Sequence, residues 1–287
     1  MTGHPSLADK AILFRELHHA AEMLVLPNVW DVASAKLVEA AGFRAIATSS
    51  AGVANTLGYA DGQKISRGEM LTAVERVAEA TSLPVSADLE AGYGVGPASA
   101  AELARELILA GAVGLNFEDA TGNPARPFKD ISQQVEEIHA IRQAGKQAGV
   151  PLVINARTDI YLEAKDDPAG WFAETVKRLL AYRDAGADCL FVPGLKNAET
   201  IGALVKEIRA PLNLLALPGM PPFDDLRRLG VKRVSFGSGL MRACMGYLRK
   251  CLGQIKDGAS VEAVLEGAIP YAELNDLIAR RAAAASR

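Results

Sequence analysis

Val85-Ser86-Ala87-Asp88-Leu89-Glu90-Ala91-Gly92-Tyr93-Gly94 is the stretch on which the reading of this chain turns. A short apolar run follows Pro84, ends in two carboxylates two residues apart, and passes into a glycine-flanked tyrosine. Side chains at i and i+2 share one side of a strand, so Asp88 and Glu90 are expected to point together from its C-terminal end. The glycines that follow permit a tight turn. The rest of the chain is read as a barrel built around this acidic tip.

Outward from that stretch, short β-type runs alternate with helical ones. The pairs are 24–27 with 31–41, 45–48 with 67–80, 85–87 with 98–110, and 113–117 with 131–148. They continue as 152–155 with 169–185, 189–192 with 198–208, 212–216 with 222–229, and 233–236 with 240–255. The strands read as near-continuous apolar runs, as parallel strands buried on both faces do. Gly42, Gly111, Gly186 and Gly230 each stand where a helix should stop and the next strand begin. Eight β/α units point to an α/β fold, a (β/α)₈ TIM barrel. A doubly wound sheet would want a Gly-rich first turn, and Pro27-Asn28-Val29-Trp30-Asp31 contains no Gly. An amphipathic helix carrying His18 and His19 precedes the first strand, and the histidines are read as packing or surface groups. After the eighth helix, 260–267 and 270–284 read as two more helices. Residues 1–287 are thus expected to form one barrel domain, with the helices of 259–284 at a subunit interface.

Composition narrows the class. In 287 residues, 49% are apolar, enough for a sizeable core. The net charge of −3, with no basic block, argues against nucleic acid as the main partner. Cys189, Cys244 and Cys251 have neither zinc-site nor disulfide spacing, which fits a reducing compartment. Without a signal pattern or a membrane-length apolar run, the expectation is a cytoplasmic protein with no membrane partner.

In such a barrel the chemistry sits at the C-terminal ends of the strands. The second strand exits into Thr48-Ser49-Ser50-Ala51-Gly52 and a loop with Asp61; the third into Asp88 and Glu90. The fourth exits into Asn116, Glu118 and Asp119, and the fifth into Asn155, Arg157 and Asp159. Converging carboxylates repel unless something positive sits among them. A hard divalent cation with oxygen ligands and retained waters answers that need, and Mg²⁺ is favoured over zinc because no His or Cys lies at these ends. Arg157 presents a fork suited to a carboxylate or phosphate. A lone acidic strand end such as Asp119 or Asp159 is more simply a cap or loop-solvating group. Trp30 and Tyr93 either line the pocket or pack beneath it, and Glu136-Glu137 and Arg227-Arg228 read as solvated helix faces.

The residues carry a resemblance to the isocitrate lyase/phosphoenolpyruvate mutase superfamily. Asp88-Leu89-Glu90-Ala91-Gly92-Tyr93-Gly94 is similar to its D-x-[DE]-x-G-[FY]-G motif. Leu57-Gly58-Tyr59-Ala60-Asp61, Phe117-Glu118-Asp119 and Asn155-Ala156-Arg157-Thr158-Asp159 extend the match. The resemblance implies a barrel with a helix exchanged between subunits and a homotetramer built as a dimer of dimers. It implies Mg²⁺, with Mn²⁺ as a substitute, bound directly by Asp88, while Asp61, Glu90 and Glu118 hold its waters. Ser49, Ser50 and Ala51 would meet a substrate carboxylate, with Arg157, Asn155 and Asn123 as further substrate-binding candidates. The departures are equally specific. The lyases of the family carry K-[KR]-C-G-H in a mobile loop after the fourth strand, whereas Asp119–Lys129 is short and has neither Cys nor His. The mutases' D-K-x-x-P-K segment is also unmatched. Where the lyases present a Glu after the sixth strand this chain has Gly194, and their Asn and Thr after the seventh are replaced by Leu215 and Leu217.

The expected activity is that of a Mg²⁺-dependent carbon–carbon lyase acting on a small 2-oxo or 2-hydroxy (di)carboxylic acid through a metal-stabilised enolate. Decarboxylation of oxaloacetate and retro-aldol cleavage of an alkylmalate or methylisocitrate both remain open. With no loop Cys, Glu118, Tyr93 or a metal-bound water are the acid/base candidates, and Arg157 completes the catalytic set. The alternatives are P–C chemistry, as in phosphoenolpyruvate/phosphonopyruvate mutases or hydrolases, and a barrel that binds a 2-oxo acid without turnover.

Overall fold

The first expected strand, 24–27, ends on Pro27, and beyond it Asn28–Val29, read as turn, forms a second short strand that closes the barrel. The computed structural model describes residues 5–163 and 168–279. Before the proline, β1 (Leu24–Leu26) lies along the last strand; after it, β2 (Asn28–Val29) lies along β3 (Ile46–Thr48). Proline has no N–H to give to a ladder, yet its carbonyl accepts from Ala47 N at 3.0 Å and keeps the two halves in line. The sheet continues through β4 (Val85–Asp88), β5 (Gly114–Glu118), β6 (Val153–Arg157), β7 (Cys189–Val192), β8 (Leu212–Leu215) and β9 (Arg233–Ser235). All pairings are parallel, in the order β1-β9-β8-β7-β6-β5-β4-β3-β2. Counted as one broken strand plus seven, this is the expected (β/α)₈ barrel.

The predicted helices stand where the apolar periodicity places them, with ends moved by one or two residues. Two short helices were not anticipated. Ser50–Thr56 follows β3, and Ile160–Glu163 follows β6. Each is too short to show a period, and the first starts on an Ser49 cap that accepts from Gly52 N. The expected helix at 260–267 shrinks to Val261–Val264, and that at 270–284 begins at Tyr271 and runs to Ala279, its remainder lying outside the described residues. The long helix Gly239–Lys256 buries only Met241, while Met245, Tyr247, Leu248, Leu252 and Ile255 stay exposed. Among the described residues no helix is long and apolar enough to cross a membrane.

The barrel interior departs from the branched aliphatic layers usual for this architecture. Ser86, Asn116, Asn155, Asn213, Arg233 and Ser235 are all buried. The helix Leu7–His19 closes the bottom of the barrel, with Phe14 and His18 fully buried and stacked edge-on at 4.8 Å. His18 Nδ1 lies 2.7 Å from Phe14 O, which can only accept, so Nδ1 carries the proton. Nε2 then faces Arg233 Nη1 at 3.4 Å with its lone pair. Burial first, then the Arg233 charge, pull His18 down to about 3.

This makes stability pH-dependent. The unfolded chain binds a proton on His18 below about 6.5 and the folded chain does not, so stability is lost as pH falls from about 6.5 towards about 3. The contribution at pH 5 is about 2 kcal/mol. Urea unfolding of the native chain and of His18→Gln at pH 7 and pH 5 should show a smaller pH-dependent loss in the variant. Equal losses in both would remove His18 as the cause.

Candidate active site

β4 ends at Asp88, and the backbone then turns left-handed: Glu90 has φ 49°, Gly92 φ 101° and Tyr93 φ 55°. The expectation that Asp88 and Glu90 share a strand face is therefore replaced. A tight turn, not strand pleat, directs Glu90, and a left-handed conformation at non-glycine residues is strain typical of functional sites. At Gly92 a Cβ would stand 2.7 Å from Phe117 Cε2, so the turn sits directly on β5 and admits no side chain there.

Asp88 is 6% exposed and held on both oxygens. Ser50 donates its N–H (3.1 Å) and hydroxyl (2.8 Å) to Oδ2, and Asn116 Nδ2 lies 3.3 Å from Oδ1. Its own N–H donates to Thr48 Oγ1 at 2.9 Å. Glu90 accepts from Gln63 N at 2.6 Å and from Tyr93 OH at 2.8 Å, while Tyr93 N donates to Gln63 Oε1 at 2.8 Å. The 61–63 loop is thereby drawn onto the acidic turn, and exposed Asp61 acts on Glu90 by charge. Burial, with repulsion from Asp88 and Asp61 working against the Tyr93 and Gln63 hydrogen bonds, pushes Glu90 up to about 7. Burial and the Glu90 charge raise Tyr93 so far that its hydroxyl remains a donor, not a base.

On β5 and β6, Glu118 and Arg157 are register partners and their side chains meet, Arg157 Nη1 to Glu118 Oε2 at 2.9 Å. Asp159 takes the other edge of the guanidinium, with Nη2 to Oδ2 at 2.8 Å. Phe191 lies beneath, its ring centre 5.6 Å from Arg157 Cζ. Burial raises Glu118 well above the usual carboxylate range, Asp159, Asp88 and Glu90 adding to it and Arg157 opposing. Burial opposes the charge on Arg157, but Glu118 and Asp159 outweigh it and raise the guanidinium.

The other candidates fall into two groups. Asn155 is buried one layer down, donating to Asn116 Oδ1 at 2.7 Å, and so reaches Asp88 through Asn116. Ser49 and Ala51 stand at the start of Ser50–Thr56 beside Ser50. Asn123 is not brought to the acidic cluster; its side chain accepts from Ala125 N in an exposed turn. Trp30 is half-buried against the core.

The loop after β5 is tied down at its base. Ala120 bridges Phe128, and Lys129 N donates to Asp119 O at 2.8 Å. Asp119 is fully buried, accepting from Tyr182 OH at 2.8 Å and Arg178 Nη1 at 3.1 Å. Lys129 Nζ runs inward to Ala91 O (2.9 Å) and Glu137 Oε2 (2.8 Å). Glu137 is 1% exposed, which overturns its reading as a solvated helix face: the helix phase brings it under the loop as partner of Lys129. Arg126 pairs with Asp130 at the surface. The Gln63, Lys129–Glu137 and Arg178–Tyr182 contacts escaped sequence reasoning, because each joins residues whose spacing carries no motif.

Among the described residues no three His, Cys, Asp or Glu side chains converge as a ready-made direct cage. The donor set is instead three buried carboxylates, Asp88, Glu90 and Glu118, each held by its own partners. Such a set suits a hard cation that keeps most of its waters and takes few direct protein ligands.

The phosphoenolpyruvate phosphomutase family model matches residues 14–256. An uncharacterized protein of Mycobacterium tuberculosis (strain CDC 1551 / Oshkosh) is 36% identical over 91% of this chain and 94% of its own length. The 2-methylisocitrate lyase of Bacillus subtilis (strain 168) is 28% identical over 92% of this chain and 88% of its own. A solved chain from Burkholderia cenocepacia J2315 superposes with a TM-score of 0.88 at 38% identity, covering 95% of this chain and 96% of that one.

Proposed function

Because this chain belongs to the isocitrate lyase/phosphoenolpyruvate mutase superfamily, we propose that it is a Mg²⁺-dependent carbon–carbon lyase acting on a small 2-oxo or 2-hydroxy (di)carboxylic acid. The observation that carries the reading is the barrel mouth itself. Buried Asp88 and Glu90 stand by an Arg157 guanidinium that already holds two carboxylates, Glu118 and Asp159.

Asp88 would hold Mg²⁺ directly, with Asp61, Glu90 and Glu118 meeting its waters, and the ion would polarise a 2-oxo group and favour the enolate form. Arg157 would bind the substrate carboxylate and face the charge that develops as the C–C bond breaks. Ser49, Ser50 and Ala51 would orient that carboxylate from the other side. In cleavage of a 2-hydroxy acid, ionised Glu118 would take the hydroxyl proton, the carbon–carbon bond electrons would pass to the leaving carbon as enolate, and a proton from water would complete that product. In decarboxylation CO₂ leaves and no hydroxyl proton moves. Tyr93, kept protonated, would fix the orientation of Glu90 and supply a donor at the mouth.

The far end of the pocket favours a short or apolar substituent. Gly194, at φ 85°, has Tyr161 O only 2.6 Å from where a Cβ would stand, so the acidic side chain of the lyases has no room here. Phe191 and Leu215 take the neighbouring strand ends. Against P–C chemistry, Lys129 is committed to Glu137 and Ala91, and Arg126 to Asp130, which leaves neither aimed at a phosphoryl group.

A homo-oligomer completes the reading. Met245, Leu248, Leu252 and Ile255 of Gly239–Lys256, with Val261, Leu265 and Ile269 beyond it, leave large apolar side chains exposed, the kind of surface that marks an interaction site. The C-terminal helices would cover it with a second copy, in a tetramer built from dimers.

With Mg²⁺, a screen of oxaloacetate, alkylmalates and methylisocitrate should release pyruvate or glyoxylate, and Asp88→Ala should reduce the rate at least ~100-fold. Unchanged release in that variant removes the metal assignment. Phosphonopyruvate turnover seen by phosphorus NMR would move the assignment to P–C chemistry, and Mg²⁺-dependent oxalate binding without turnover would make the barrel a binder. For the assembly, light scattering should report a multimer for the native chain and a smaller species for Leu248→Glu/Leu252→Glu. A native monomer would refute the interface.

A further inference from the structure

Arg233 is a guanidinium with 0% exposure in the middle of the barrel, and no function described above uses it. Its contacts are weak for a buried cation: neutral His18 Nε2 at 3.4 Å, Asn116 Oδ1 at 3.4 Å, and the Phe14 ring 5.9 Å from Cζ. Its Nε has no hydrogen-bond partner among the described residues. A buried charge needs a counter-charge or it is strongly destabilising. Two groups that could carry a negative charge act on it, Cys189 and Asp88. Burial pushes the Cys189 thiol up to about 12, so it stays neutral, and Asp88 remains. The link is geometric. Asn116 accepts on its Oδ1 from Arg233 and, at 2.7 Å, from Asn155 Nδ2, and turns its own Nδ2 to Asp88 Oδ1 at 3.3 Å.

We propose that Arg233 is the buried counter-charge of Asp88, a positioning residue that acts through Asn116 to hold the acidic tip in place when no metal is bound. The barrel floor then carries a permanent cation below Asp88, and a metal would arrive from above on the same carboxylate. The inference rests on Asp88 standing at the tip and is independent of which ion or substrate the mouth takes.

The test is a double-mutant cycle read as thermal midpoints in chelator-treated protein. Asp88→Asn should lower the midpoint of the native chain by at least about 3 °C, because it strips Arg233 of its partner. In an Arg233→Met chain the same substitution should raise the midpoint, since relief of repulsion with Glu90 and Glu118 there outweighs the hydrogen bond lost from Asn116. In Arg233→Lys, which keeps the charge, Asp88→Asn should again be harmful. Equal effects in the Arg and Met backgrounds, or a Lys chain that behaves as Met does, would overturn the proposal. If Arg233→Met alone does not fold, the double variant should regain folding, and its failure to do so would also overturn the proposal. Added Mg²⁺ should raise the native midpoint, and raise that of Arg233→Met further. A coupling that persists while Mg²⁺ shifts no variant would support the counter-charge and remove the metal assignment alone.

Discussion

Repulsion among carboxylates crowded into a barrel mouth is the constraint from which the rest of this structure follows. Asp88, Glu90 and Glu118 are each less than one-tenth exposed; burial first, and then the Asp88 charge, raises the cost of ionising Glu90 and Glu118, and Glu90 adds to that of Glu118. Every nearby device answers that cost. Ser50 gives two donors to Asp88, Tyr93 and the Gln63 backbone give two to Glu90, and Arg157 bridges Glu118 and Asp159. The left-handed turn at Glu90 is the backbone's part in the same arrangement, trading local strain for a carboxylate aimed into the mouth.

A second layer fixes these groups from behind. The segment Asp119–Lys129 stands where the family's lyases carry their acid/base loop, and its base is bolted to the barrel by buried ion pairs. Lys129 links that base to Ala91 in the acidic turn, while Arg178 and Tyr182 clamp Asp119. Loop and turn therefore share one polar framework, and such frameworks rigidify when every member is satisfied. On the lyase reading proposed above, chemistry that the loop cysteine performs in those lyases would come, in this chain, from the barrel's own strand ends.

The barrel was legible in the sequence because eight apolar runs alternate with eight helical periods, and parallel strands buried on both faces leave that signature. The split at Pro27 was visible as a proline but not as the seam. That role depends on which strand lies on each side. Asp88, Glu118 and Arg157 were legible as candidates because each falls at a strand end, where barrel chemistry concentrates, and Glu90 because it follows Asp88 by two residues. Arg233 was not singled out, although a charged residue within Lys232-Arg233-Val234-Ser235-Phe236 was its signal. Glu137 was misread for the opposite reason: two adjacent glutamates look like a solvated face, and only the path of Lys129 reveals one as buried. The left-handed backbone at Glu90 has no sequence marker beyond the glycines that follow it.

The central claim is that the acidic mouth holds a hard divalent cation on Asp88. Crystals grown with Mn²⁺ and oxalate, measured at the manganese absorption edge, test it most directly. One strong anomalous peak per chain is expected within ligand distance of an Asp88 carboxylate oxygen, with oxalate between it and Arg157. A mouth without a peak, or a peak held by residues that exclude Asp88, would contradict it.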